Sequence, residues 1–292
     1  MNWIVAITIS IITGSFAGIL QKVLMKGRDP DSYSYTVLTQ LFSGCVCILV
    51  VFLLGRNDIP SLQVIIDNKL YIFIAFSGIM YALNGIYTFK ALQNVDVSKF
   101  VVLYTIKSIV TIVTASIFLN EVLTSLQLIG ATFIIFAVVY LNTDSVKKFL
   151  VFNKGEFYTI IAAFAFGFAT VSDKYLIQWF DFVPYLVLDF MLPALILILA
   201  RPKAIKEIGL ARKTGIIPKL ILFSTLYSIA ALGFFAALYS ADNAALVSGF
   251  GQVGAIVTVV MGIVLLKEKD DIKKKLIAGC VSFVGLILLV IK

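Results

Sequence analysis

The feature that most constrains the fold is a series of apolar segments, each close to the length that crosses a lipid bilayer, separated by polar gaps. A hydrocarbon core about 30 Å thick is crossed by about 20 residues of α-helix. Of the 292 residues, 61% are apolar and 14% are charged. In soluble domains about 45–50% of residues are apolar and about 25% are charged. We therefore predict an all-α integral membrane protein rather than a soluble protein with several buried helices.

Ten apolar segments meet or approach this length, which predicts about ten transmembrane helices in a multi-pass protein of the cell membrane. The gaps between them contain charged residues and helix breakers, as in Gly27-Arg28-Asp29-Pro30-Asp31. The predicted spans are Trp3–Leu24, Tyr35–Leu54, Leu70–Leu92, Phe100–Leu119, Leu126–Leu141, Phe157–Ile177, Pro184–Ala200, Pro218–Tyr239, Ala244–Leu266 and Lys275–Ile291.

The chain also resembles itself at an offset of about half its length. Apolar matches alone would carry little weight, because Ile, Val and Leu align easily by chance. These matches, however, keep their order along the chain and include polar positions. The polar pairs are Lys22 with Lys174, Thr111 with Thr258, and Glu121 with Glu268.

The repeat predicts two five-helix units, residues 1–142 and 156–292, joined by a linker at residues 143–155. Because five is odd, the second unit enters the membrane from the opposite side, so the two repeats are inverted. Inverted repeats are typical of secondary transporters, whose substrate sites lie near the membrane midplane between the repeats.

The repeated pattern contains short motifs in the same order in both halves. Gly14-Ser15-Phe16-Ala17 precedes Lys22, and Gly167-Phe168-Ala169 precedes Lys174. In the first half, a helix that ends in Glu121 follows Ala91-Leu92. In the second half, a helix that ends in Glu268 follows Ala237-Leu238. This doubled pattern resembles the drug/metabolite transporter superfamily, and within it the EamA-type transporters.

The resemblance implies a transporter, often an exporter of amino acids, metabolites or drugs, that works by alternating access. It also implies that the third and fourth helices of each half line a central cavity. The chain departs from the family in the fourth helix, where Lys107-Ser108 occupies a region that often contains proline. Lys and Arg are concentrated in the gaps after odd-numbered spans, which favours both termini outside the cell, whereas relatives are often oriented the other way.

Lys107 is the most informative single residue, because it lies inside a predicted span. A lysine at the centre of a transmembrane helix costs about 2.5–3.5 kcal/mol on insertion scales. Tyr104, Lys107 and Thr111 share one helix face, which predicts a cavity wall for an anionic or carbonyl-bearing substrate. The alternative is a structural lysine paired with a carboxylate or a carbonyl oxygen on a neighbouring helix.

Polar and aromatic positions on the other cavity-lining helices complete the predicted substrate-binding site. Serine and threonine also bond to helix carbonyl groups, so a packing role is the alternative for each of them. The predicted members are Tyr81, Asn84 and Tyr87 on the third span, Ser228, Phe235 and Tyr239 on the eighth, and Ser248 and Gln252 on the ninth.

Asp189 lies in the seventh span, where an acidic side chain is a candidate proton carrier or a partner for a lysine. A position near the interface, solvated by water, is the alternative. Glu121 and Glu268 close equivalent helices, and we expect them to accept backbone N–H groups in a structural role.

The composition argues against other classes of function. The chain has no histidine and three cysteines, so we expect no catalytic residues, no metal site and no cofactor. The net charge of +8 is explained by lipid headgroups rather than by nucleic acid. The expected partners are a small-molecule substrate and the bilayer, and self-association into a homo-oligomer is left open. A non-transporting scaffold protein and an intramembrane lipid-modifying enzyme are the alternative functions.

Overall fold

A computed structural model describes residues 2–25, 31–55, 58–118, 124–142, 153–203, 215–240, 250–251, 253–268 and 270–290. These residues form helices joined by short connections, and no β-strand occurs among them. The twelve helices assigned within them are α1 (Trp3–Met25), α2 (Ser32–Leu54), α3 (Leu62–Asp67), α4 (Leu70–Asn94), α5 (Val97–Tyr104), α6 (Ile106–Phe118), α7 (Ser125–Asn142), α8 (Lys154–Leu176), α9 (Phe182–Ala200), α10 (Ile217–Ser240), α11 (Val253–Leu265) and α12 (Ile272–Val290).

Seven segments of the described chain are long and apolar enough to cross a membrane, with α5 and α6 counted as one segment. The helices α7 and α11 are apolar but shorter, and α12 begins with three lysines in its first turn. Large apolar side chains such as Phe52 and Leu199, each 79% exposed, cover the outer surface. The all-α membrane fold predicted from the hydropathy pattern is confirmed.

Two local features differ from the prediction. The short helix α3 lies in a segment predicted as a loop. The fourth span begins at Val97 rather than Phe100 and is interrupted at Thr105. There the Thr105 hydroxyl donates to the carbonyl oxygen of Val102 at 2.6 Å, and the Ser108 amide bonds three residues back, to Thr105, at 3.0 Å. A threonine hydroxyl that bonds to a preceding carbonyl competes with the helical ladder and favours such a break.

The helices pack in pairs that follow the repeat. The third helix of each half packs on the first helix of the other half, which gives the pairs α4–α8 and α10–α1. The second helices pair with each other as α2–α9, and the fifth helices as α7–α12. In the last pair, a Cβ atom on Gly130 would lie 2.6 Å from the Gly285 carbonyl oxygen. Glycine therefore allows direct backbone contact between these helices.

One end of the helix bundle is held by charged side chains around the α4–α5 connection. Glu268 accepts hydrogen bonds from the amides of Val97 at 2.7 Å and Ser98 at 3.2 Å, and from the Ser98 hydroxyl. A carboxylate at a helix N-terminus is electrostatically favourable. Glu268 thus accepts hydrogen bonds from backbone N–H groups, as expected. The N–H groups belong to α5, which is in the other repeat. Glu121 lies outside the described residues.

Two lysines bind the same connection. Lys22 donates hydrogen bonds to the carbonyl oxygens of Leu92 and Val95, both at 2.7 Å. Lys275 is 3% exposed, and its ammonium lies 2.6 Å from the Asp96 carboxylate. The two repeats are therefore joined at this end by polar contacts as well as by packing.

Candidate functional site

The structure brings together five of the predicted site residues, Tyr81, Asn84, Tyr104, Lys107 and Thr111, where α4 and the α5–α6 segment of the first repeat meet α8 of the second. This junction lies between the two repeats, where the sequence places the substrate site. We call it the α4–α8 junction.

Lys107 lies just after the interruption at Thr105, about midway along the α5–α6 segment. Its ammonium nitrogen lies 4.6 Å from the ring centre of Tyr104 and 4.2 Å from that of Phe166. Aromatic ring faces attract cations. Among the described residues, no carboxylate oxygen lies within 4 Å of this nitrogen. The charge is thus stabilised by rings and is not neutralised by an acid.

The ring of Tyr104 is held in place on both sides. The Asn84 side-chain amide donates to the Tyr104 hydroxyl at 2.6 Å and to the carbonyl oxygen of Ala162 at 3.0 Å. The Phe100 ring stacks on the Tyr104 ring with centres 5.0 Å apart. Because Asn84 is buried and bonded to two helices, it fixes the ring next to the Lys107 ammonium.

Thr111 connects α6 to α8. Its hydroxyl donates to the carbonyl oxygens of Lys107 at 2.9 Å and Gly167 at 3.3 Å. A Cβ atom on Gly167 would lie 2.7 Å from the Val110 Cβ and 2.9 Å from the Lys107 carbonyl oxygen. Thr111 therefore contributes to helix packing that sets the position of Lys107, which is the packing role considered for such residues.

Tyr87 lies further along the same junction, with a second lysine. The ammonium of Lys90 lies 5.3 Å from the Tyr87 ring centre and 5.7 Å from that of Tyr158 on α8. Lys90 is half-buried against these rings. Lys90 on α4 and Lys107 on α6 thus lie along the same helix, α8, and each lies over two aromatic rings, one of them from α8.

At the other end of the junction, Asp189 lies on α9 beside a small cavity that Ser77 and Tyr185 also line. Those two side chains, together with Tyr81, donate hydrogen bonds to Asp173 on α8. Asp173, at the end of the sixth predicted span, was missed as a site residue. Asp173 lies seven residues after Phe166, so both residues share one face of α8.

Ser228 and Phe235, the two predicted substrate-binding residues of the second repeat whose side chains the structure describes, do not join this group. Ser228 is buried and donates to the carbonyl oxygens of Ser43 at 3.2 Å and Ser224 at 2.8 Å. The Phe235 ring stacks on that of Phe182, with centres 6.5 Å apart. Both residues pack α10 against its neighbours. The Tyr239 side chain and residues Ser248 and Gln252 lie outside the described part of the structure.

The profile of the EamA-like transporter family matches residues 1–143 and 153–291. The chain belongs to the EamA-like transporter family. The resemblance seen in the sequence is therefore confirmed, as are the two-repeat architecture and the multi-pass membrane location. Because the EamA-like family is a family of transporters and not of enzymes, this membership supports a transport role.

The fold of this EamA-family protein also matches a solved structure. A crystal structure of another protein aligns with a TM-score of 0.62 and 13% sequence identity, over 98% of this chain and 94% of the other. At that identity the match shows the fold alone. No curated protein matches the chain.

Proposed function

We propose that this EamA-family protein is a secondary transporter, an exporter or an exchanger, of a small polar metabolite that carries a negative charge. Lys107 would bind the carboxylate or another anionic group of the substrate. The observation that carries the proposal is the position of its ammonium between the repeats, over two rings and without a carboxylate within 4 Å among the described residues.

The energetics favour an anionic ligand at this site. Placing a lysine in the middle of a span costs about 2.5–3.5 kcal/mol of insertion free energy. Contact of its ammonium with aromatic ring faces stabilises it by about 0.5–2 kcal/mol. The balance leaves a positive charge in a region of low dielectric, where a negative group would be strongly attracted. Asn84 and Tyr104, next to Lys107, add polar groups that would orient the metabolite.

The location of the junction supports alternating access. Lys107 belongs to the first repeat and Phe166 to the second, so any rocking of one repeat against the other changes the surroundings of the ammonium. Inverted-repeat transporters work by such movement around a site near the midplane. A non-transporting scaffold protein would not need a lysine between the two repeats. A lipid-modifying enzyme would need a nucleophile or an acid–base pair at this position.

Ligand-induced thermal stabilisation of the purified protein tests the proposal. The probes are a panel of amino acids, carboxylic acids and sugar phosphates, applied to the wild type, Lys107→Met and Lys90→Ala. The Met side chain keeps the unbranched apolar stem and removes the charge. A ligand at 100 times its Kd stabilises a protein by about 2.7 kcal/mol.

We expect an anionic or zwitterionic probe to raise the melting temperature of the wild type and of Lys90→Ala but not of Lys107→Met. The same probe should cross proteoliposome membranes that contain the wild type, with at least a tenfold slower flux for Lys107→Met. Equal stabilisation of all three proteins would show that the substrate site is elsewhere.

A further inference from the structure

Two carboxyl groups lie close to one cavity at the junction of α4, α8 and α9, and the substrate site does not use them directly. Asp173 is 7% exposed and belongs to α8, while Asp189 belongs to α9. The side chains of Ser77 and Tyr185 connect them, because both line the cavity with Asp189 and both bond to Asp173.

Asp173 is surrounded by hydrogen-bond donors. The Ser77 hydroxyl donates to one carboxylate oxygen at 3.0 Å, and the Tyr185 hydroxyl donates to the same oxygen at 2.6 Å. The Tyr81 hydroxyl donates to the other oxygen. Three donors from two helices satisfy an ionised carboxylate, so Asp173 is suited to carry a negative charge in this buried position.

Asp189 has the opposite environment. Its Oδ1 atom is fully buried and has no hydrogen-bond partner within the described structure. The residue lies one turn after Tyr185 on α9, on the same face. A buried carboxylate oxygen without a donor disfavours the ionised form, whereas a protonated carboxyl group does not carry that penalty.

No cation compensates the pair. In the part of the chain that the structure describes, no lysine or arginine nitrogen lies within 4 Å of either carboxyl group. Lys174, which follows Asp173 in the chain, is exposed. The titratable groups that face Asp189 are Asp173 and the hydroxyl groups of Tyr81, Tyr185 and Tyr227, together with the Cys47 thiol.

We propose that Asp173 and Asp189 form a proton-binding site, in which Asp189 holds the proton and Asp173 remains a carboxylate. Two unneutralised carboxylates that are connected through Ser77 and Tyr185 repel each other, so one proton, held by Asp189, is the stable occupancy of the pair. The step is a simple proton transfer: the Asp189 carboxyl group releases H⁺ to water when the cavity opens to one side of the membrane, and takes up H⁺ when it opens to the other.

The site has a direct path to Lys107. The Tyr81 ring, whose hydroxyl bonds to Asp173, meets the Phe166 ring edge to face, with centres 5.8 Å apart. The Lys107 ammonium also lies next to Phe166, 4.2 Å from its ring centre. Substrate binding that moves Lys107 would therefore move the donor of Asp173. This coupling role rests on the proposed transport function, whereas proton binding itself does not.

Infrared difference spectroscopy of the protein in liposomes, recorded across a change of pH, tests the site with protons as the only probe. We expect the wild type at neutral pH to show the C=O stretching band of one buried protonated carboxylic acid, which shifts in D₂O. Asp189→Asn should lack this band, and Asp189→Glu should restore a protonated-acid band. Asp67→Asn, which changes an exposed carboxylate on α3, should leave it unchanged.

A band that persists in Asp189→Asn, or a wild type without any such band at neutral pH, would overturn the proposal. So would stabilisation of the wild type, but not of Asp189→Asn, when sodium replaces choline, because the oxygen cluster would then hold a metal cation. Lys107→Met should retain the band. Loss of substrate binding and loss of the proton site are therefore measured separately, and either can fail alone.

Discussion

The α4–α8 junction and the contact of α10 with α1 occupy equivalent places in the two repeats, and their helix-to-helix hydrogen bonds correspond. Thr111 and its counterpart Thr258 each donate to the carbonyl oxygen four residues earlier, at 2.9 and 2.8 Å. Each also bonds to the first helix of the opposite repeat, Thr111 to the carbonyl oxygen of Gly167 and Thr258 to the hydroxyl of Ser15. Duplication has preserved the way in which these helices dock.

The side chains between these docked helices differ. By the repeat alignment, Gly254 stands where the first repeat has Lys107, and Gly14 stands where α8 has Phe166. Within the described structure, only Ile11 lies within 4 Å of a Cβ atom built on Gly254. Among the described residues, one junction therefore holds a cation over rings, and the other has an apolar side chain next to a glycine. The shared geometry serves packing in both, and we expect ligand binding only at the first.

The strongest test of this difference moves the charge. Gly254→Lys would place an ammonium at the equivalent position without the rings of Tyr104 and Phe166. We expect a loss of about 2.5–3.5 kcal/mol in stability, the cost of a lysine at mid-span, and no gain in binding of the anionic probe. Chemical denaturation in detergent measures the loss. Unchanged stability would mean that the second junction accommodates an ammonium without these rings, and it would contradict the difference between the junctions.

A smaller effect is expected from the backbone contact. In Gly167→Ala the new methyl group would lie 2.7 Å from Val110 and 2.9 Å from a backbone oxygen, so we expect a loss of about 1–3 kcal/mol from overpacking. The control is Gly14→Ala, where the methyl group would meet, among the described residues, the Ala230 side chain alone, at 3.4 Å. A gain of up to about 1 kcal/mol is expected there from helix propensity. Similar melting temperatures for the two variants would contradict the tight fit at Gly167.

The smallest effect distinguishes packing from binding. Thr111→Val and Thr258→Val each remove one hydroxyl that joins two helices, and we expect each to lose about 0.6 kcal/mol, the average for such bonds in a membrane. Only Thr111→Val should also weaken binding of the anionic probe, because Thr111 bonds to the Lys107 carbonyl oxygen. If Thr258→Val weakened binding equally, the functional difference between the junctions would be disproved.

The fold was predictable because hydropathy and the internal repeat depend on composition and order alone. Lys107 was identifiable for the same reason, since a charge inside an apolar run has few explanations in a bilayer. Phe166 was not identifiable from the sequence, because an aromatic residue in a span gives no indication of whether it faces lipid or a lysine. Asp173 was missed because burial near a helix end depends on the neighbouring helices, here through Tyr81 and Tyr185. Ser228 was assigned to the cavity, yet its hydroxyl bonds to carbonyl oxygens within the packing of α10.

The capping of α5 by Glu268 has a consequence for the order of assembly during synthesis. The carboxylate that accepts the Ser98 amide lies 170 residues later in the chain. At translation rates of about 5–20 residues per second, roughly 8.5–34 s pass between synthesis of the amide and synthesis of its acceptor. Through that interval the start of α5 must take its hydrogen bonds from water or from the insertion machinery, so the first repeat reaches its final form only when the last helices of the second have been made.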